Sequence, residues 1–324
     1  ISTAFPIPAA LASTWDLDLI NKVGVAMGKE SKAFGVDILL GPAFNIKRDP
    51  LNGRNFEYFT EDPYLNGRLA LAITNGIQSQ GVGVSLKHYA VNNQETNRMN
   101  INEIVSERAL REIYLSAFEY VVKNGNPWTI MSAYPSVNGE FASQNKYLLT
   151  DILRNEWGFN GFVVSDWASI REMIYWGYSP DERSAAKSAV DAGTDMDMEG
   201  GIFVPHLVSL VQNGQVKESL LDDAVRRILR VKFELGLFDD PYRFLDEKRE
   251  KEVIGSKANR EAVLDMAKKS IVLLKNEKGI LPLSKSTKTI AFIGPLVKEY
   301  KQNMGFWSVE LPELDYNKEI VSQW

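Results

Sequence analysis

Short apolar segments alternate with helical patterns along most of the chain, and this alternation constrains the fold more than any other feature. The apolar segments predict buried parallel strands at residues 36–40, 82–86, 128–132, 162–165 and 195–198. Helical periodicity predicts helices between and after them, at residues 17–34, 63–80, 106–123, 146–157, 180–192 and 219–237. Because such alternation is typical of a parallel α/β sheet, residues 1–238 predict a (β/α) barrel, a fold of about 250 residues. The recognisable strands are fewer than a complete barrel has, which is consistent with an absent N-terminal unit.

The pattern changes at residue 239. Residues 239–257 are dominated by charged side chains and predict a linker. Residues 258–324 predict the beginning of a second α/β domain, with a helix at 260–269 and strands at 271–274 and 289–293. A stretch of this length is too short to complete a sheet with its own core. The chain also starts at Ile1 with neither a methionine nor a signal peptide, so we expect a segment of a longer protein.

Composition narrows the classes of partner and chemistry. The net charge is −5 and no run of basic residues is present, which argues against nucleic acid and against an anionic membrane surface. No apolar run reaches the roughly 18 residues that a membrane span needs. The chain has no cysteine, so disulfides, thiolate metal sites and cysteine nucleophiles are excluded. The compartment is left open by these data, with a periplasmic or secreted location favoured.

A carboxylate at the end of one predicted strand is the first candidate for chemistry. Asp166 follows the apolar segment at 161–165, and barrel enzymes place reactive side chains at the carboxyl ends of their strands. Trp167, next to it, offers an aromatic ring that can cover the apolar face of a sugar. The structural alternative is that Asp166 merely caps the following helix.

Other unusual polar residues lie in loops or where predicted strands end. A long charged loop at 45–63 contains Arg54, and loops of this length are uncommon unless they are functional. Lys87 and His88 come directly after the hydrophobic strand predicted at 82–86. They need polar partners, such as sugar hydroxyls or a carboxylate, to offset their desolvation. Met131 and Tyr134 lie at the end of the next strand. The structural alternatives are a salt-bridged loop, a Lys–His pair held by structural carboxylates, and a core Met and Tyr.

Several kinds of catalytic centre find little support. With no cysteine and two separated histidines, a metal would need an oxygen-rich site, for which only Asp195, Asp197 and Glu199 are suitably spaced. We interpret these three as structural residues at a strand end. No nucleophile elbow accompanies His88 and no glycine-rich phosphate loop is present, so no metal and no cofactor is expected.

The ordered motifs of the chain resemble those of the family 3 glycoside hydrolases, in the β-glucosidase/β-xylosidase branch. The motifs are TAFPIPAALASTWD, GPAFNIKRDPLNGRNFEYFTEDP, SLKHYAVNNQETNR, IMSAYPSVNG and GFVVSDW, followed by KSIVLLKNEKGILPL. The resemblance runs from Thr3 to about Trp307. It implies a TIM-like barrel followed by an α/β sandwich domain. The segment YAVNNQE after His88 differs from the corresponding loop of the N-acetylglucosaminidase branch.

The resemblance also implies roles for individual residues. Asp166 matches the nucleophile of a retaining, exo-acting β-glucosidase that forms a covalent glycosyl-enzyme intermediate. The residues that match sugar-binding or subsite-lining positions are Arg54, Lys87, His88, Met131, Tyr134 and Trp167. The family's acid/base glutamate falls after residue 324 and a further sugar-binding aspartate falls before residue 1.

Three alternatives remain open at this point. A β-xylosidase would use the same residues. A non-catalytic sugar-binding protein would explain why this chain lacks a proton donor, and a Schiff-base lyase would use Lys87 as its amine. The expected partners are a β-glucoside or short β-linked oligosaccharide, the remainder of the same protein with the acid/base glutamate, and a second copy in a homodimer.

Overall fold

A computed structural model of the chain describes residues 2–298. Its strands are β1 Ile38–Leu39, β2 Gly83–Tyr89, β3 Asn102–Glu103, β4 Thr129–Ser132, β5 Ser136–Val137, β6 Glu140–Phe141 and β7 Phe162–Val164. Its α-helices are α1 Pro8–Ala12, α2 Leu17–Ala33, α3 Pro63–Gln78, α4 Glu107–Ala109, α5 Ser116–Gly125, α6 Ser169–Tyr175, α7 Glu182–Ala192, α8 Phe203–Gln212, α9 Glu218–Glu234, α10 Glu247–Val253 and α11 Lys257–Lys269. Short 3₁₀-helices span Asn55–Glu57 and Ala142–Gln144, and π-helical segments span Leu110–Tyr114 and Tyr147–Glu156.

The main sheet has the strand order β1-β2-β4-β7, and every neighbouring pair is parallel. Helices connect consecutive strands, as the alternating sequence pattern predicts. The strand predicted at residues 195–198 is reduced to one parallel bridge between Met196 and Val164. Because all these strands run in one direction, the segments after β2, β4 and β7 emerge at the same edge of the sheet.

The core lies between this sheet and the helices that cover it. Apolar residues of α2, α3 and α5, including Ile20, Leu69 and Phe118, are buried with Val84 of β2 and Ile130 of β4. Such burial of one helix face is what the helical periodicity predicts.

Side-chain caps set where several helices begin. Asp16 accepts a hydrogen bond from the Leu19 N–H at the start of α2. At α7, Asp181 accepts one from the Ser184 N–H at 2.7 Å, so this helix begins at Glu182 rather than at the predicted residue 180. The aspartate at 181 caps the helix, because its carboxylate satisfies an N–H of the first turn.

A second, three-stranded sheet was not predicted from the sequence. It has the order β3-β5-β6, with β3 and β5 parallel and β5 and β6 antiparallel. Each of its strands has only two residues. A segment so short carries no detectable alternation, which explains why the pattern did not reveal it.

The region after residue 238 differs in detail from the prediction. Helix α10 forms inside the segment predicted as a linker, with Asp246 as its N-cap. The chain separates into two compact units, residues 1–270 and 271–324, and helix α11 belongs to the first. The boundaries predicted for the barrel, linker and second domain stay a prediction.

The predicted strands at 271–274 and 289–293 are wrong for the described part of the chain, because residues 271–298 contain neither helix nor strand. An apolar segment becomes a strand only when a neighbouring strand completes its hydrogen bonds. Residues 299–324 of the predicted second domain lie outside the described residues. Within residues 2–298, none of the helices is long and apolar enough to span a bilayer.

Candidate active site

Asp166 lies just beyond the carboxyl end of β7, where the sequence predicts it. It is buried, with 7% of its surface exposed. The Trp167 N–H donates to Oδ1 at 2.7 Å, whereas Oδ2 is buried and has no hydrogen-bond partner among the described residues. The Ser169 N–H donates to the Asp166 carbonyl at 3.0 Å and so fixes the backbone of the turn. One carboxylate oxygen is therefore anchored and the other is left available.

His88, on β2, faces the available oxygen. Its Nε2 lies 3.7 Å from Asp166 Oδ2, and its side chain is almost completely buried. Asn45 holds its backbone on both sides, accepting from the His88 N–H at 2.8 Å and donating to the His88 carbonyl at 2.9 Å. Burial, with the positive charges of Arg54 and Lys87, keeps the pKa of His88 well below its ordinary value. These influences favour the neutral form of His88, which carries a single ring proton.

Two cations share one carboxylate beside this histidine. Arg54 forms an ion pair with Glu57 and its Nε lies 3.9 Å from Glu95 Oε1. Lys87 Nζ lies 3.7 Å from Glu57 Oε2. Burial is the largest single influence on Arg54 and lowers its pKa, but the hydrogen bond to Glu57 together with the charges of Tyr58, Glu57 and Glu95 outweighs it, so that the pKa of Arg54 is raised. Burial lowers the pKa of Lys87, an effect that the charge of Glu57 partly offsets.

Tyr134 and Trp167 form the other side of the site. The Tyr134 hydroxyl donates to the Trp167 carbonyl at 2.6 Å, which ties the segment after β4 to the segment after β7. Burial and the negative charge of Asp166 raise the pKa of Tyr134, so the hydroxyl stays protonated. The indole of Trp167 is 59% exposed, a high value for so large an apolar side chain.

Met131 differs from the other predicted site residues in its surroundings. It pairs in register with Val164 on β7 and is buried in an apolar cluster that includes Phe162 and Val231. Its surroundings are those of a core methionine. The role of lining a sugar subsite stays a prediction for Met131.

The structure adds four residues to the site that the sequence did not single out. Arg98 donates to Glu95 at 2.9 Å, and its guanidinium lies 4.8 Å from the centre of the Tyr134 ring. Glu57 and Glu95 neutralise the cations, and Tyr58 contacts His88. All four residues lie inside the motifs that carry the family resemblance, so the sequence could have drawn attention to them. Their contacts with the other site residues could not be read from it.

Asp195, one of the three acidic residues spaced for a metal site, is instead bound by two arginines. Arg154 lies 2.5 Å and Arg227 2.8 Å from its carboxylate oxygens, and the Val163 N–H donates to it at 2.7 Å. Asp197 accepts from the Ile202 N–H at 2.6 Å. Residues 2–298 contain no group of His, Asp and Glu side chains arranged to hold a metal ion.

Burial and charge act in opposite directions on Asp166. Burial is the larger influence and raises the pKa of this carboxyl above its ordinary value of 3.8. The Trp167 N–H and the charges of Arg54, Lys87 and Arg98 lower it and so favour the ionised form. The site thus holds a buried carboxylate whose ionisation depends on the surrounding cations.

Asp166→Asn is expected to raise the free energy of unfolding near neutral pH. Because the pKa of Asp166 is raised in the folded protein, the folded state binds its proton more tightly than the unfolded state does. Below the ordinary pKa of 3.8 the carboxyl is protonated in the folded and in the unfolded protein. Ionisation of Asp166 then makes no difference between the stabilities of the wild-type protein and the variant. As the pH rises through the raised pKa, wild-type stability falls relative to the variant.

Urea unfolding of both proteins between about pH 4 and about pH 7 measures this difference. The advantage of Asp166→Asn should grow with pH. A difference that stays constant over the range would mean that ionisation of Asp166 is not its source.

Known proteins match the chain along nearly its whole length. The family model "Glycosyl hydrolase family 3 N terminal domain" matches residues 1–231, and the model "Glycosyl hydrolase family 3 C-terminal domain" matches residues 271–323. The thermostable β-glucosidase B of Acetivibrio thermocellus is 47% identical over 300 residues, which are 92% of this chain and 37% of that protein. An exo-α-(1→6)-L-arabinopyranosidase of Bifidobacterium longum is 42% identical over 285 residues, 87% of this chain and 35% of that protein. The chain thus spans little more than a third of these relatives' length.

Solved structures agree with these matches. β-Glucosidase 3B of Thermotoga neapolitana, in complex with α-D-glucose, is 42% identical with a TM-score of 0.77 over 87% of this chain and 38% of that one. A β-glucosidase of Listeria innocua is 33% identical with a TM-score of 0.84, over 88% of this chain and 40% of that one. These neighbours confirm the predicted fold class, an α/β TIM-like barrel followed by the start of an α/β sandwich domain. The resemblance drawn from the motifs is confirmed as well: the chain belongs to glycosyl hydrolase family 3.

Proposed function

We propose that the protein is a retaining, exo-acting β-glucosidase in which Asp166 is the nucleophile. The observation that carries the proposal is the buried carboxylate beyond β7, with Oδ1 anchored by the Trp167 N–H and Oδ2 unbonded among the described residues. An oxygen that is not engaged in a hydrogen bond is free to attack an anomeric carbon. The family membership supports the same assignment.

The reaction has two displacements. Asp166 Oδ2 attacks the anomeric carbon, the bond to the leaving oxygen breaks, and a covalent glycosyl-enzyme forms. Water then attacks the same carbon, releasing the sugar and restoring the carboxylate. A retaining enzyme places a second carboxyl about 5–5.5 Å from the first to protonate the leaving group and then to activate water. We propose that a glutamate outside this chain, in the remainder of the same protein, supplies it.

The cations of the site have two tasks in this mechanism. Arg54, Lys87 and Arg98 favour the ionised form of Asp166, which the first displacement requires. In this proposal Arg54, Lys87 and neutral His88 also donate hydrogen bonds to sugar hydroxyls. Donors that are already oriented by Glu57 lose little freedom when a sugar binds.

Covalent trapping tests the proposal directly. A 2,4-dinitrophenyl 2-deoxy-2-fluoro-β-glucoside has a leaving group that needs no protonation, so the first displacement does not depend on the acid/base residue. The intact mass should rise by one fluoroglucosyl group, and peptide mapping should place the label on Asp166. The Asp166→Asn protein is the control and should remain unlabelled.

Two outcomes would favour the alternatives. Intact sugar affinity without any label would indicate a sugar-binding protein. Borohydride reduction that attaches substrate to Lys87 would indicate a Schiff-base lyase.

Substrate choice is settled by a panel of aryl glycosides. We expect the highest kcat/KM with the β-glucoside, because a relative that is 47% identical to this chain is a β-glucosidase. A β-xyloside tests the β-xylosidase alternative, and an α-L-arabinopyranoside is included because a relative that is 42% identical is named for that activity. Association into a homodimer stays a prediction, to be checked by light scattering.

Trp167→Ala is expected to raise KM about tenfold with a smaller change in kcat. The exposed indole would lose its contact with the sugar, and an aromatic contact contributes about 0.5–1.5 kcal/mol beyond the area it buries, where 1.4 kcal/mol is a factor of ten. Steady-state kinetics with an aryl β-glucoside measures both constants. Trp176→Ala, which removes an exposed indole just beyond α6, is the matched control and should leave KM unchanged.

A further inference from the structure

A buried chain of polar side chains leads from Asn92 through Tyr58 and His88 to Asp166. We propose that Tyr58 is a positioning residue that fixes the ring proton of His88 on Nε2, so that an N–H rather than a lone pair faces the nucleophile. The proposal concerns the candidate active site and rests on the proposed function only for its kinetic consequences. The tautomer itself is a property of the folded chain.

The geometry brings these buried groups together in one line. The Tyr58 hydroxyl lies 3.4 Å from His88 Nδ1, and His88 Nε2 lies 3.7 Å from Asp166 Oδ2. Tyr58 and Asn92 are fully buried, and His88 is 1% exposed. The two rings meet edge to face, with centroids 6.3 Å apart. A polar group of the protein, the Tyr58 hydroxyl, therefore lies beside Nδ1 of the buried ring.

The amide of Asn92 determines what the Tyr58 oxygen must do. Asn92 Nδ2 donates to Glu95 Oε1 at 3.0 Å and to the Tyr58 hydroxyl at 3.0 Å. Glu95 therefore sets the orientation of the amide, since only its nitrogen can donate to a carboxylate. Burial raises the pKa of Tyr58, so the hydroxyl keeps its proton. That single proton has two acceptors in reach, the Asn92 backbone carbonyl at 3.3 Å and His88 Nδ1 at 3.4 Å.

The ring proton of His88 is influenced from both sides, by the Tyr58 hydroxyl at Nδ1 and by the Asp166 carboxylate at Nε2. If Nδ1 carried the ring proton, the lone pair of Nε2 would face Asp166 Oδ2 inside a buried site, and both atoms would lack a donor. If Tyr58 donates to Nδ1, the ring proton lies on Nε2 and points towards the carboxylate. The negative charge of Asp166 attracts the N–H dipole when the proton is on Nε2, and it repels the lone pair of Nε2 when the proton is on Nδ1. A neutral His88 therefore carries its proton on Nε2.

The 3.7 Å separation gives this N–H a use during the reaction. It is longer than a hydrogen bond, so Nε2–H is oriented towards Asp166 Oδ2 without occupying it. The nucleophile keeps an available lone pair, while the N–H supports its negative charge. A hydroxyl of the bound sugar can accept the same N–H.

Nitrogen NMR of the two histidines tests the proposal. The chain contains only His88 and His206, so ¹⁵N-histidine labelling gives two ring-nitrogen patterns, and His206→Gln assigns them. We expect a neutral His88 with its proton on Nε2 in the wild-type protein. In Tyr58→Phe, which removes the donor to Nδ1, a population with the proton on Nδ1 should appear. With an aryl β-glucoside, kcat should fall about tenfold while KM changes less.

Tyr89→Phe is the matched control. It removes another hydroxyl of a fully buried tyrosine, one that donates to the Leu148 carbonyl at 3.0 Å. This variant should lose similar stability yet keep the wild-type tautomer of His88. A wild-type spectrum with the proton on Nδ1, or an unchanged tautomer in folded Tyr58→Phe, would overturn the proposal. A wild-type proton on Nδ1 overturns the proposal even if Tyr58→Phe does not fold, and it does so whether or not the protein hydrolyses glucosides.

Discussion

Asp166→Ala is expected to lower the turnover of aryl β-glucosides by about 10⁴-fold or more, since removal of a catalytic nucleophile has effects of this size. The substitution takes away the only carboxylate that we place at the anomeric carbon. The surrounding cations and hydrogen-bond donors remain, so sugar binding should be weakened far less than turnover. Initial rates with 2,4-dinitrophenyl β-glucoside, together with glucose affinity by calorimetry, separate the two effects.

Azide distinguishes a lost nucleophile from a damaged site. In Asp166→Ala a small anion can occupy the space of the carboxylate, attack the anomeric carbon from the same face and release the phenolate. The product would be the α-glucosyl azide, and its configuration is read from the proton spectrum. Asp181→Ala, which removes only the cap of α7, should retain wild-type turnover and give no α-glucosyl azide. Wild-type turnover in Asp166→Ala would contradict the assignment of the nucleophile.

The part of the site that the sequence predicts well is the set of polar residues where strands end. Apolar runs mark β2, β4 and β7, and because these strands are parallel, the residues at or just after their carboxyl ends meet at one edge of the sheet. Lys87, His88 and Asp166 could be expected there from that argument alone. Arg54 is different, because it lies in a long loop, and only the family resemblance placed it in the site.

The features that the sequence did not predict depend on distances between segments far apart in the chain. Tyr58 contacts a histidine 30 residues away, and no local pattern specifies that a tyrosine in a loop will point at an imidazole. Met131 is at a strand end as predicted, but the alternation of strand side chains directs it into the apolar cluster with Val164. The predicted strands of residues 271–298 fail for a related reason, since pairing and not composition makes a strand.

Asp195→Ala is expected to destabilise the fold by about 3–5 kcal/mol, the range for breaking a buried ion pair by removing one partner. The Asp195 side chain is 2% exposed and binds Arg154 and Arg227, so its loss leaves a guanidinium buried without its counter-ion. Burial already lowers the pKa of Arg154, which indicates that this charge depends on its partner. The Val163 N–H on β7 loses its acceptor as well. The midpoint and slope of urea unfolding, followed by tryptophan fluorescence, give the change.

The comparison that isolates the buried charge uses three further variants. Asp195→Asn keeps an acceptor for the Val163 N–H but removes the charge, so it should lie between wild type and Asp195→Ala. Asp223→Ala breaks an exposed pair with Arg226 and should change stability by less than about 1 kcal/mol. In the double variant Asp195→Leu with Arg154→Leu, stability should partly return, because the most deeply buried guanidinium is then gone. An effect of Asp195→Ala no larger than that of Asp223→Ala would mean that water reaches Arg154 and that the pair does not hold β7 in place.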